Sequence, residues 1–172
     1  MKKLTYSYGQ MVQWLMKDLY PVYEQKEMTH MKYGELTEPK NPHRPDLSSG
    51  FTYGYFSGSD LDGAVVVDES FTKKELGIQN KPTILAYGVR DVGNRDMIAE
   101  MLLKKAIEET KTKFDSSELY ALLPLVEGTE YVKAKDKAIF EKLKFTNPNP
   151  TYPGLFHANI QKEIKEKTKN GD

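Results

Sequence analysis

The strongest constraint in this chain is one long amphipathic helix set between two short apolar strands. Ala99, Leu102, Leu103, Ala106 and Ile107 recur at three- and four-residue steps, with Glu100, Lys104, Lys105, Glu108 and Lys111 mostly opposite. That is the spacing of a helix with one buried face. Before it, Pro82 opens a strand from Thr83 to Val89. After it, Leu119, Ala121 and Leu123 alternate with Tyr120 and Leu122 in a strand ended by Pro124. A helix of this length between two strands implies a parallel crossover.

The segments on either side complete the pattern. Val12, Leu15, Met16 and Leu19 mark one face of a helix that Pro21 ends or kinks, and a second helical piece runs from Val22 to Tyr33. Glu38 to Ser49, with Pro39, Pro42 and Pro45, reads as a long loop. Phe51 to Phe56 and Ala64 to Val67 read as strands joined by a hairpin turn at Gly58 to Gly63. Lys73 to Lys81 is a polar connection. A further helix is expected from about Thr129 to Leu143, on Val132, Ile139, Phe140 and Leu143. Phe145 and Gly154 to Ile160 suggest a closing hairpin around Asn147-Pro148-Asn149-Pro150. The early hairpin needs antiparallel pairing and the crossover needs parallel pairing. The expected fold is therefore α/β: one domain over residues 1–160, a mixed sheet with helices on both faces, and a polar tail at 161–172.

Composition removes several classes of function. The chain has 172 residues, of which 38 % are hydrophobic and 29 % charged, enough apolar content for one real core. Twenty-five basic residues balance twenty-five acidic ones, so no overall field draws the protein to nucleic acid or to anionic lipid. Tyr53, Tyr55 and Phe56 are better read as sheet core than as a base-stacking platform, because no basic run accompanies them. With no cysteine there is no disulfide, thiol nucleophile or thiolate metal site. His30, His43 and His157 are scattered without metal-ligand spacing, so no metal is expected. No stretch reaches the length of a membrane helix and no leader pattern opens the chain, which makes the cytoplasm the expected compartment.

From Val89 to Phe145 the order and spacing resemble the GNAT superfamily of N-acyltransferases. Its pattern, V-x-P-x-x-R-G-x-G-x-G/A-x-x-L-L, lies on this chain without a gap: the valine on Val89, the small residue on Ala99, the leucines on Leu102 and Leu103. The later A-x-x-x-Y-E-K-x-G-F pattern is matched in most positions by Phe140-Glu141-Lys142-Leu143-Lys144-Phe145. The resemblance implies a GNAT-like fold that binds acetyl-CoA or another acyl-CoA. The diphosphate would lie on the loop and helix start at Asn94, Arg95, Asp96, Met97, Ile98 and Ala99. The pantetheine arm would run along Gly88 and Val89, with Phe140 lining it. A helix start offers unpaired amides and a partial positive charge, which suits a diphosphate.

The chain departs from the pattern at several positions. Asn94 replaces the arginine, although Arg95 is adjacent; Arg95 and Met97 replace glycines; Asp91 replaces the proline; Lys133 replaces an asparagine in the later helix; and Phe140 replaces the tyrosine that hands a proton to the leaving thiol. Asp96 would repel a neighbouring phosphate unless it turns away or pairs with Arg90 or Arg95. Candidates for proton transfer are Tyr87 and Tyr131, with Asp91 and Glu127 behind them. The implied acceptor is an amine on a small molecule or peptide, and a homodimer is compatible with the chain. The alternative is a GNAT-shaped binding or protein-interaction module that has lost turnover. For Asn94 to Ala99 the competing structural role is a polar turn that caps the helix.

Overall fold

The computed structural model describes residues 1–4, 9–19, 50–123, 134–152 and 154–161. The expected helix at 22–33, the proline-rich loop, Glu127, Tyr131 and most of the polar tail lie outside the described residues. Six strands form one sheet in sequence order: β1 (Lys2–Lys3), β2 (Gly50–Ser57), β3 (Asp60–Lys73), β4 (Ile78–Val89), β5 (Glu118–Leu122) and β6 (Leu155–Asn159). Every neighbouring pair is antiparallel except β4 with β5, which is parallel. The long helix α2 (Arg95–Lys113) makes that crossover, as its apolar stripe requires. The sheet is mixed, as the sequence led us to expect.

Helices cover both faces. On one side α2 and α3 (Ala134–Lys142) bury Leu102, Leu103, Ala106 and Phe140 against Ile84, Tyr87 and Leu119. On the other, α1 (Gly9–Leu19) buries Val12, Leu15 and Met16 against Ala64, Val66 and Leu85. Pro21, expected to end or kink this helix, lies outside the described residues.

Several boundaries differ from the sequence reading, each for a local reason. The strand expected at Ala64 to Val67 extends from Asp60 to Lys73, because Asp62 and Asp68 are buried within it; the Asp68 carboxylate accepts the amide of Ser70 at 3.1 Å. The hairpin turn shrinks to Gly58-Ser59, with Gly58 at φ +64°. Pro82 sits inside β4 instead of opening it, four residues after Ile78. The closing hairpin reduces to a single bridge, in which Thr146 and His157 exchange two backbone hydrogen bonds of 2.8 Å, while β6 pairs with β5. The short β1 was hidden in a basic pair whose side chains are exposed.

Two contacts fix α2 on the sheet. Gly63 lets the helix approach closely: a Cβ there would stand 2.9 Å from Leu102 Cδ1 and 3.2 Å from both Ile98 and Val89 side-chain carbons. Glu100 reaches Lys104 on its own helix and Lys142 on α3, each at 2.7 Å. These hydrogen bonds pull its carboxyl down to about 2. A lowered carboxyl pKa favours the folded state above the ordinary carboxylate range, and the benefit fades as pH falls towards 2. An NMR titration should therefore find Glu100 ionised to about pH 2 while exposed carboxylates titrate normally. Gly63→Val should cost about 1–3 kcal/mol in urea unfolding, since the added methyls meet packed Leu102 and Ile98.

Candidate functional site

The site begins with a fault in the sheet. Between the pairs Val66–Ala86 and Val67–Ile84, β3 advances one residue while β4 advances two. Leu85 is thus an extra residue in β4, a β-bulge, which bends a strand and increases its twist. Core packing agrees: Leu85 and Ala86 both belong to the α1 face, whereas Ile84 and Tyr87 belong to the other. At the bulge β4 parts from β5. Their parallel pairing consists of Thr83 with Tyr120 and Ile84 with Ala121, yet β4 runs on to Val89.

Beyond the bulge one edge of β4 is left open among the described residues. The Arg90 amide donates to the Asp62 carbonyl at 2.7 Å, and Ala64 pairs with Gly88. Alternation along an antiparallel ladder then directs the backbone groups of Gly88 to β3 and those of Tyr87 and Val89 to the opposite edge. Of the expected pair Gly88 and Val89, only Val89 presents its main chain to the gap.

The start of α2 stands beside this gap. The Arg95 amide donates to Val92 O at 3.0 Å and the Ile98 amide to Asn94 O at 3.1 Å. Asn94 holds the N-cap position but its side chain makes no capping bond. Among the described residues this leaves the amides of Asp96 and Met97 without a partner, at the positive end of a nineteen-residue helix. Met97 is 48 % exposed, so its side chain does not fill the corner. Ile98 and Ala99 are fully buried against the sheet; they seat the helix and offer no side chain to a ligand.

Arg95 lies elsewhere than the resemblance suggested. Its guanidinium is turned inward, 7 % exposed, and its Nη2 donates to Oδ1 of Asp136 in the first turn of α3. The Tyr87 hydroxyl donates to the same oxygen at 2.9 Å. Arg95 Nη1 also reaches the exposed Asp96 carboxylate at 3.4 Å. Burial works against the guanidinium charge, but the hydrogen bond and charge of Asp136 outweigh it and raise the Arg95 pKa. Tyr87 and Phe140 are both completely buried, their rings edge to face at 5.4 Å; Phe140 also packs on Phe145 and Phe156 at 5.0 and 5.2 Å. Phe140 is therefore core, and the Tyr87 hydroxyl faces Asp136. Asp91 lies at the surface, 3.8 Å from Lys135. No group of residues suited to a metal ion occurs among the described residues.

Asp136 is the residue that sequence reasoning missed. It stands in the run Lys133-Ala134-Lys135-Asp136-Lys137, which reads as solvated. Its signal was helical spacing: three and four residues before Ile139 and Phe140, it shares their buried face.

No family model matches the sequence, and no curated relative does. Solved structures do match, over nearly the whole chain. Aminoglycoside 6'-acetyltransferase type Ii is similar at a TM-score of 0.61 and 12 % identity, over 94 % of this chain and 97 % of that one. The PaiA N-acetyltransferase from Thermoplasma acidophilum, solved with coenzyme A, gives 0.58 and 12 %, over 92 % and 96 %. The GNAT domain of S. lividans PAT gives 0.58 and 16 %, over 91 % and 86 %. The mixed sheet, with one parallel pair among the described strands and helices on both faces, superposes on these structures. Its fold is the GNAT fold.

The buried trio allows a direct test of its energetics. Asp136→Ala leaves a buried guanidinium without its partner and should cost about 3–5 kcal/mol. Tyr87→Phe removes one hydrogen bond to a charged acceptor and should cost about 1.5–3 kcal/mol. Urea unfolding monitored by circular dichroism measures both, and a ranking reversed from this one would remove Asp136 from the centre of the network.

Proposed function

We propose that this protein is an N-acyltransferase that moves an acyl group, most simply acetyl, from acyl-CoA to an amine. The observation that carries the reading is the edge of β4 at Val89, which has no ladder partner among the described residues, next to a helix start where the amides of Asp96 and Met97 have none among them either. An extended arm needs a row of main-chain donors and acceptors, and a diphosphate needs exposed N–H groups at a positive helix end. Both lie in one corner here, so the residues present fit the cofactor through the backbone. The fold similarity to a protein solved with coenzyme A supports the same reading.

In this reading the amides of Asp96 and Met97 hold the diphosphate, and the loop from Asn94 sets its approach. The main chain of Val89 aligns the pantetheine arm along β4. When bound, the cofactor supplies an acyl group activated as a thioester. The chain's contribution is mainly positioning and exclusion of water. Tyr131, in the connection that follows β5, is the residue we assign to proton transfer. The Tyr87 hydroxyl holds Asp136 instead. The acceptor amine belongs to a small molecule or a peptide, approaching from the α1 side of the gap.

A second reading, a binding module without turnover, is favoured by the carboxylates of Asp91 and Asp96 at the anion corner and by the missing hydroxyl at Phe140. Two measurements separate the readings. Thermal unfolding with CoA at 100 times its dissociation constant should stabilise the fold by about 2.7 kcal/mol; no shift at millimolar CoA would remove the acyl-CoA site. Thiol release in the presence of polyamines, aminoglycosides, amino acids and peptides then distinguishes enzyme from binder. Asp96→Asn removes a repulsive charge beside the two amides and should tighten CoA binding by about two- to fivefold at low ionic strength, with the gain shrinking in salt.

A further inference from the structure

We propose that Asp136 is a positioning residue, holding the first turn of α2 and the C-terminal end of β4 at a fixed spacing through Arg95 and Tyr87. The proposal rests on the acyl-CoA reading for its consequence, since those two elements form the walls of the proposed site. Among the described residues β4 pairs with β5 only at Thr83 and Ile84. The first turn of α2 lacks a side-chain cap. At this corner the surface pair Lys135–Asp91, at 3.8 Å, is exposed on both partners and contributes little. The connection with directional force is the buried one: two donors from different elements converge on Asp136 Oδ1, from a third element.

Apolar side chains of similar volume would fill this space at equal or greater stability, because a buried ion pair must offset the desolvation of both charges. Apolar packing, however, lacks the direction of hydrogen bonds to a single oxygen. Arg95 and Asp136 cancel in charge, so the pair adds almost no net field at the diphosphate corner. What it supplies is geometry. An ångström of drift between the amides of Asp96 and Met97 and the main chain of Val89 would misalign a ligand that must touch both.

The test replaces the trio by an uncharged set, Tyr87→Phe with Arg95→Met and Asp136→Leu, in the full chain. We expect urea stability at or above wild type, CoA binding by calorimetry weaker by about tenfold or more, and increased backbone motion at Asp96 and Met97 by ¹⁵N relaxation. If the triple variant does not fold, Asp136→Asn, which keeps the shape, should show the same two changes. Ile78→Ala, buried at the opposite end of β4 from Val89, is the control: it should lose stability while CoA affinity stays within about twofold, as expected for distant, independent sites. The proposal is overturned if the folded variant binds CoA as tightly as wild type, or if the control weakens binding as much. Failure of wild type to bind CoA would instead sink the acyl-CoA reading. The relaxation data would still decide the positioning role, with unchanged motion at Asp96 and Met97 ruling it out.

Discussion

Two rungs of parallel ladder, Thr83 with Tyr120 and Ile84 with Ala121, join β4 to β5 among the described residues, and the shape of the functional corner follows from how soon that pairing stops. A parallel joint that continued to Val89 would extend the ladder along the rest of β4. The extra residue at Leu85 prevents this. It sends two consecutive side chains to the α1 face and changes the twist of β4 relative to β5. Among the described residues the main chain of Val89 is then left without a ladder partner on that edge, and exposed backbone polar groups require water or a ligand.

Opening a sheet in this way weakens it, and the side chains around the gap hold it in other ways. Gly63 lets α2 sit close against β3, so that Ile98 and Leu102 pack where a larger residue would hold the helix off. Phe140, Phe145 and Phe156 form an aromatic wedge under α3, joined to Tyr87. The polar trio of Tyr87, Asp136 and Arg95 then ties β4, α3 and α2 together at the ends that converge. A guanidinium in such a place is tolerable only because a carboxylate meets it, and the same pairing removes it from any direct part in anion binding.

The helices and the crossover were legible in the sequence because they are written in period. Leu102, Leu103 and Ala106 leave no alternative to an amphipathic helix, and the strands on either side of it fix the parallel joint. What was not legible depends on contacts between elements. Nothing in Leu85 marks it as the bulged residue; that follows from the register of β3 against β4. Asp62 fell within the expected hairpin turn, yet it is buried within a strand, as is Asp68. Arg95 was expected at the diphosphate from its place in the loop, but its guanidinium is directed to Asp136, forty-one positions later. The helix start expected near Asn94 is present, with no partner for the amides of Asp96 and Met97 among the described residues.

The departures from the GNAT pattern fall mostly on side chains, while the features that suit the cofactor belong to the main chain. A glycine replaced by Met97 keeps its amide, and the added side chain is harmless if it points outward, as this one does. An arginine replaced by Asn94 loses charge but leaves the helix dipole intact. A site built from backbone N–H groups and an unpaired strand edge can therefore persist while the residues around it change, provided that the strand bends and the helix starts in the same place. Such a site leaves little trace in residue identity. This accounts for a chain whose fold superposes on acetyltransferases at 12 % identity while no family model matches its sequence.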